Sequence, residues 1–110
     1  MNRGDVWIIK LGGKAGTRPV VVLTRQNVIE FLNKVVVAEI TTKGKGYATE
    51  VFIDQKANLP KPSFVQADNI HTVPKKSLEK YFGTLDFDTM LEISKKVVLA
   101  LELEGALSGI

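Results

Sequence analysis

The chain has 110 residues, enough for one domain and too few for two independent cores. Its 45% hydrophobic and 25% charged content is ordinary globular composition and excludes a disordered chain, and the absence of cysteine excludes disulfides and thiolate chemistry. A net charge of +3 permits a polyanionic partner without requiring one. No apolar run reaches the roughly 18 residues of a membrane span, and the N-terminus lacks a charged-then-apolar signal, so a soluble cytoplasmic protein is expected.

Val6 to Leu11 reads as a first strand, and Gly12-Gly13-Lys14-Ala15-Gly16 as a glycine-rich loop. Pro19 to Leu23 is the second strand. Its unbroken apolar run, rich in β-branched residues, needs a core on both faces. Asn27 to Asn33 is ambiguous and fits one helical turn before a third strand, Lys34 to Thr41. After a Gly44-Lys45-Gly46-Tyr47 turn, Thr49 to Ile53 alternates as a short strand. Pro60 and Pro62 keep the next loop out of any central strand. Ser63 to Ala67 and Ile70 to Val73 read as two short strands around the turn-prone pair Asp68-Asn69, and Pro74 to Phe82 as a short helix or turn. Asp86 is placed to cap a final helix whose apolar stripe runs Met90, Ile93, Val97, Ala100 and Leu101, with Gly105 as the stop. Short curled strands and a closing helix indicate a mainly β fold, a small partly open barrel.

Several motifs carry no function. Arg3-Gly4-Asp5 spells an integrin triplet but runs into a strand with a buried pattern, and chance accounts for it. The Gly12–Gly16 loop lacks the spacing of a phosphate loop and precedes a strand. A lone His71 cannot build a metal site and reads as a partly exposed strand residue, so no metal or other cofactor is expected.

Arg18 is the residue with the most chemistry. Pro19 biases it toward extended geometry at the mouth of a buried strand. It either pairs with a surface carboxylate or grips an oxyanion or phosphate through its fork. Arginine is a poor base, because its pKa exceeds about 12. It suits a substrate with its own nucleophile, such as RNA with its 2′-hydroxyl, and a threonine such as Thr41 would orient the same phosphate oxygens.

An ordered series of segments then resembles the MazF/PemK toxins, endoribonucleases of bacterial type II toxin–antitoxin modules. The series is Arg3-Gly4-Asp5-Val6-Trp7, Gly16-Thr17-Arg18-Pro19-Val20-Val21-Val22-Leu23, Ala38-Glu39-Ile40-Thr41, Thr49-Glu50-Val51, Ser63 through Val73, and Gly83-Thr84-Leu85. It spans roughly residues 3 to 101 of a single 1–110 domain. The resemblance implies an SH3-like barrel of CcdB/PemK type, a homodimer, and metal-independent cleavage of single-stranded RNA (an mRNA interferase). It also implies a cognate antitoxin of MazE type whose flexible acidic tail occupies the RNA groove. Arg18 is implied as catalytic with Thr41 as its partner, and Lys14, Thr17, Thr42, Lys43 and Lys45 are expected to meet RNA. The first loop departs from the family, lacking the Ser-Glu-Gln that often precedes the glycine. Any proton-transfer role of that glutamate does not carry over, and Lys14 favours phosphate contact over base readout. Two other readings use a similar barrel: a non-enzymatic, CcdB-like poison of DNA gyrase, and a module that only binds RNA or protein. Neither needs the Arg18–Thr41 pair.

Overall fold

Val20, Val21 and Val22 are all essentially inaccessible, so the second strand is covered on both sides as its unbroken apolar run requires. A computed structural model describes residues 1–12 and 16–108. Its strands are β1 (Asp5–Gly12), β2 (Gly16–Val22), β3 (Lys34–Thr41), β4 (Glu50–Asp54), β5 (Ser63–Pro74) and β6 (Leu78–Thr84), followed by helices α1 (Phe87–Ala100) and α2 (Glu104–Ser108). All neighbours are antiparallel in one sheet of order β4-β5-β3-β2-β1-β6, curled into a partly open half-barrel. The expected mainly β architecture with a closing helix is the one observed. No helix among the described residues is long and apolar enough to cross a membrane.

Two cores follow from strand alternation. Val6, Val21, Ala38, Ile40, Val51 and Val65 pack with Met90 and Ile93 of α1. On the opposite face, Ile9, Val20, Val22, Val35 and Val37 pack with Leu78 and with Ile29. Ile29 sits on a 3₁₀ turn, Gln26–Phe31, which resolves the ambiguous segment as a short helical piece.

Arg3-Gly4-Asp5 is a structural knot. Arg3 donates to the Leu23 carbonyl and, at 2.7 Å, to the Ser94 hydroxyl. Gly4 bonds Val22 and Leu85 through its backbone at φ +91°, where a Cβ would press on Met90. The buried Asp5 carboxylate accepts from the Thr84 hydroxyl and the Asn2 N–H.

Three expectations are corrected. The segments Ser63–Ala67 and Ile70–Val73 form one strand, β5, not two. Ala38 pairs with Ile70 and Glu39 with Gln66, so 67–69 bulge out instead of turning the chain. The reading of Pro74 to Phe82 as a helix or turn holds only for a 3₁₀ turn at Lys75–Ser77. Leu78–Thr84 pairs with β1 as an edge strand, where Tyr81 meets Trp7 at 5.6 Å between ring centroids. Non-local pairing thus overrides a locally helical sequence. The last helix stops at Ala100, ahead of Gly105, which lies inside α2. Glu102 takes φ +58°, and its N–H and that of Leu103 bond the Leu99 and Val98 carbonyls, a Schellman stop built without glycine. Met90 and Ile93 are buried and Val97 packs against them, but Leu101, beyond the helix end, is exposed.

Asp86 caps α1 through the Thr89 N–H at 2.7 Å. The Thr89 hydroxyl and N–H, then Lys56 at 3.0 Å, hold its carboxyl down at about 2 against an ordinary 3.8. Because the folded value lies below the unfolded one, its stabilisation is present above about pH 4 and is lost as pH falls toward 2. Asp86→Asn, which keeps a capping oxygen without the charge, should lower the urea midpoint at neutral pH, with the difference shrinking across that window. A deficit independent of pH would contradict the charge assignment.

Candidate active site

β2 pairs with β1 along nearly its whole length, with Arg18 opposite Ile9 and Thr17 opposite Lys10. With β3 it pairs only at Val20–Glu39, Val21–Ala38 and Val22–Val37. Pro19 has no N–H to donate, and the ladder ends at the residue after it. Continuing the register would set Arg18 opposite Thr41. Beyond the last pair, the two strand ends instead flank a surface cavity of about 310 Å³. Thr17, Arg18 and Pro19 line one side and Ile40, Thr41, Thr42 and Lys43 the other, with Ser63 completing it.

Five of the seven residues expected at the site therefore share one cavity: Thr17, Arg18, Thr41, Thr42 and Lys43. Lys45 is exposed on the adjoining loop and is not part of this lining, and Lys14 lies outside the described residues.

The Arg18 side chain is 44% exposed, with Nε 3.7 Å from Oε1 of Glu39. The pair is too long and too wet to contribute more than about 1 kcal/mol. Among the described residues the guanidinium makes no hydrogen bond, so its terminal nitrogens are available to a ligand. Glu39 is better enclosed, and its second oxygen, Oε2, lies 2.7 Å from His71 Nε2. One carboxylate thus touches both Arg18 and His71. Glu39 entered the sequence reading only as part of a family segment and His71 as an isolated strand residue. The signal for their meeting is the β3 alternation, which puts Glu39 on the Arg18 face, together with the bulge that shifts β5. Ser63, a strand and family-segment residue with no site role expected from sequence, completes the lining. It is buried, and its hydroxyl donates to the Lys61 carbonyl.

Thr41 Oγ1 accepts the Lys43 N–H at 3.1 Å, closing a small turn as β3 ends. Among the described residues the hydroxyl donates to no partner. Beyond it, the Glu50 carboxylate accepts from the N–H groups of Lys45, Gly46 and Tyr47 at 2.8–3.2 Å. Burial, the largest single influence on Glu50, pushes its carboxyl up. The Lys45 and Gly46 N–H groups, the Gln66 side chain and the Tyr47 N–H together outweigh it and hold the carboxyl below its ordinary value. The loop's backbone donors are thereby turned inward, while its lysine side chains remain exposed. Among the described residues, no three His, Asp or Glu converge as metal ligands would. The chemistry present is a cationic fork, a threonine hydroxyl and a lysine around a cavity with room for a phosphate and the sugar beside it.

The model of the PemK-like, MazF-like toxins of type II toxin–antitoxin systems matches residues 2–101. The Mycobacterium tuberculosis protein named endoribonuclease MazF3 is 46% identical over 68 residues, covering 62% of this chain and just under two thirds (66%) of that relative's length. A solved M. tuberculosis toxin, MazF-mt6, superposes with a TM-score of 0.83 at 35% identity, over 91% of this chain and 98% of that one. A structure described as an endoribonuclease in complex with its cognate antitoxin, from a mycobacterial species, gives a TM-score of 0.81 at 29% identity, covering 94% and 96% of the two chains. With the family's sequence pattern spanning nearly all of the fold, the chain belongs to the PemK/MazF toxins of type II toxin–antitoxin systems.

Proposed function

We propose that this protein is the endoribonuclease toxin of its module and cuts single-stranded RNA without a metal or other cofactor. The observation that carries the reading is the meeting of Arg18 and Thr41 at one cavity where the β2–β3 ladder opens. Similarity to relatives named endoribonuclease supports the activity. A homodimer acting in the cytoplasm, neutralised by an antitoxin whose acidic tail competes for the same groove, completes the reading.

In the proposed reaction the substrate supplies its own nucleophile. The 2′-hydroxyl oxygen attacks the adjacent phosphorus and gives up its proton to water. A P–O2′ bond forms and the P–O5′ bond breaks, and solvent returns one proton to the departing 5′-oxygen. The products are a 2′,3′-cyclic phosphate and a 5′-hydroxyl. Arg18 holds two non-bridging oxygens and stabilises the charge that grows on them, and the Thr41 hydroxyl donates to the same phosphate. Thr17, Thr42 and Lys43 contact the backbone on either side, and Lys45 extends the cationic track. No metal-activated water is needed, because the nucleophile is already in place.

Arg18→Ala should slow cleavage about 10²–10³-fold, the usual loss for one preorganised donor. Its unfolding free energy should stay within about 1 kcal/mol of the parent, given the weak Glu39 pair. Arg18→Lys should restore little, because an ammonium lacks the fork. A folded Arg18→Ala protein that cuts at the parental rate would remove Arg18 from the mechanism.

Cleavage should persist in EDTA and stop when the nucleotide 5′ to the scissile phosphate carries 2′-hydrogen. Cutting of that deoxy substrate would exclude the 2′-hydroxyl route. Charge is checked separately by salt titration of binding to an uncleavable oligonucleotide. Replacing Lys43 and Lys45 with Gln should flatten the log–log slope by about 1.4 if both meet phosphates and by about 0.7 if only Lys43 does. An unchanged slope would take both off the RNA path.

A further inference from the structure

The sheet face that bears Arg18 and Thr41 does not end at the cavity. Thr41 lies opposite Phe64 of β5, and Phe64 opposite Phe52 of β4. Residues directly opposite in antiparallel strands put their side chains on the same face. The alternate residues Ile40, Val65, Val51 and Ile53 all belong to the core under α1, which leaves Thr41, Phe64 and Phe52 facing the other way. The two rings stand 5.0 Å apart between centroids and are tilted by 50°. Phe64 is half-buried and backed by the chain at Gly44, where a Cβ would come within 2.8 Å of the ring. Phe52 is 58% exposed on an edge strand. The fold makes little use of it: an exposed aromatic on a sheet edge is an aggregation hazard.

We propose that Phe52, braced by Phe64, is a stacking platform for an unpaired nucleobase next to the scissile phosphate. The inference rests on the endoribonuclease reading above and adds where the substrate's base goes. Phe52 is two strand spacings, about 10 Å, from Thr41 along one row of side chains, the reach of a single nucleotide from the phosphate. The exposed Lys43, whose N–H bonds Thr41, supplies a cation at the cavity lining beside Thr41. Single-stranded RNA is held in this way, with cations along the backbone and aromatic faces under splayed bases. Stacking accepts every base, so the platform adds affinity and positions the strand, and base choice falls to other contacts.

The test pairs protein and substrate changes in the full chain. The probes are a cleavable RNA and the same sequence made uncleavable by 2′-hydrogen at the cut site, with abasic replacements at the two nucleotides on each side. Phe52→Ala should raise KM and the Kd for the uncleavable strand about 5- to 150-fold with kcat little changed. Phe52→Trp should bind at least as tightly as the parent. At one abasic position the Phe52→Ala loss should disappear, since the ring's partner is already missing. Unchanged affinity in Phe52→Ala would overturn the platform, as would an equal loss on every abasic strand or a loss explained by an altered oligomeric state in sedimentation. If the parent cuts RNA and only these expectations fail, the platform alone is wrong. If the parent neither cuts nor binds RNA, the reading beneath it is wrong.

Discussion

The place where β2 stops pairing with β3 controls the geometry of the cavity. Val20, Val21 and Val22 are locked by packing on both faces, so β2 cannot slip or tilt without opening one of the two cores. Immediately before them Pro19 removes a donor, and the strand runs on along β1 alone. Arg18 and Thr17 are thus carried on a rigid strand yet freed from a neighbour on one side. On β3, Thr41 is one residue beyond the buried Ile40 and is held from behind by β5. A site built on strand ends that stay anchored to a packed sheet is more precise than one built on loops.

The electrostatics around that opening are arranged to keep cations available. Glu39 approaches Arg18 only at Nε, and a pair of that length with a half-exposed guanidinium is weak beside a bidentate, charge-assisted grip on phosphate. The carboxylate is held in place by His71, so it steadies the base of the guanidinium without occupying the fork. Glu50 solves a different problem on the next loop. Its carboxylate gathers three backbone N–H groups that would otherwise form an anion nest, which fixes the loop and leaves the lysine side chains as its exposed cations.

Local chemistry was legible in the sequence. The valine run demanded burial on both faces, Asp86 announced the cap of α1, and the β3 limits at Lys34 and Thr41 were readable from composition alone. Pairing was not legible. Glu79, Lys80 and Tyr81 look helical in isolation and become an edge strand only because β1 offers an unpaired side. Asp68 and Asn69 carry a turn signal that the structure spends on a bulge, and the resulting shift brings His71 toward Glu39. The Arg18–Thr41 juxtaposition lay between these cases. Each residue stood out for its own chemistry, the family pattern joined them, and antiparallel register explains why they face one cavity. Phe52 and Phe64 show no pattern in one dimension, since their row exists only once three strands are aligned.

In the proposed reaction an arginine and a threonine at the open end of a ladder steer an internal 2′-hydroxyl onto phosphorus. Mass analysis of the new RNA ends, made by purified protein in EDTA, reads the outcome of that attack. The mechanism predicts a 2′,3′-cyclic phosphate on every upstream fragment and a 5′-hydroxyl on every downstream one. Fragments ending in 3′-hydroxyl and 5′-phosphate would contradict it, because they require attack by water.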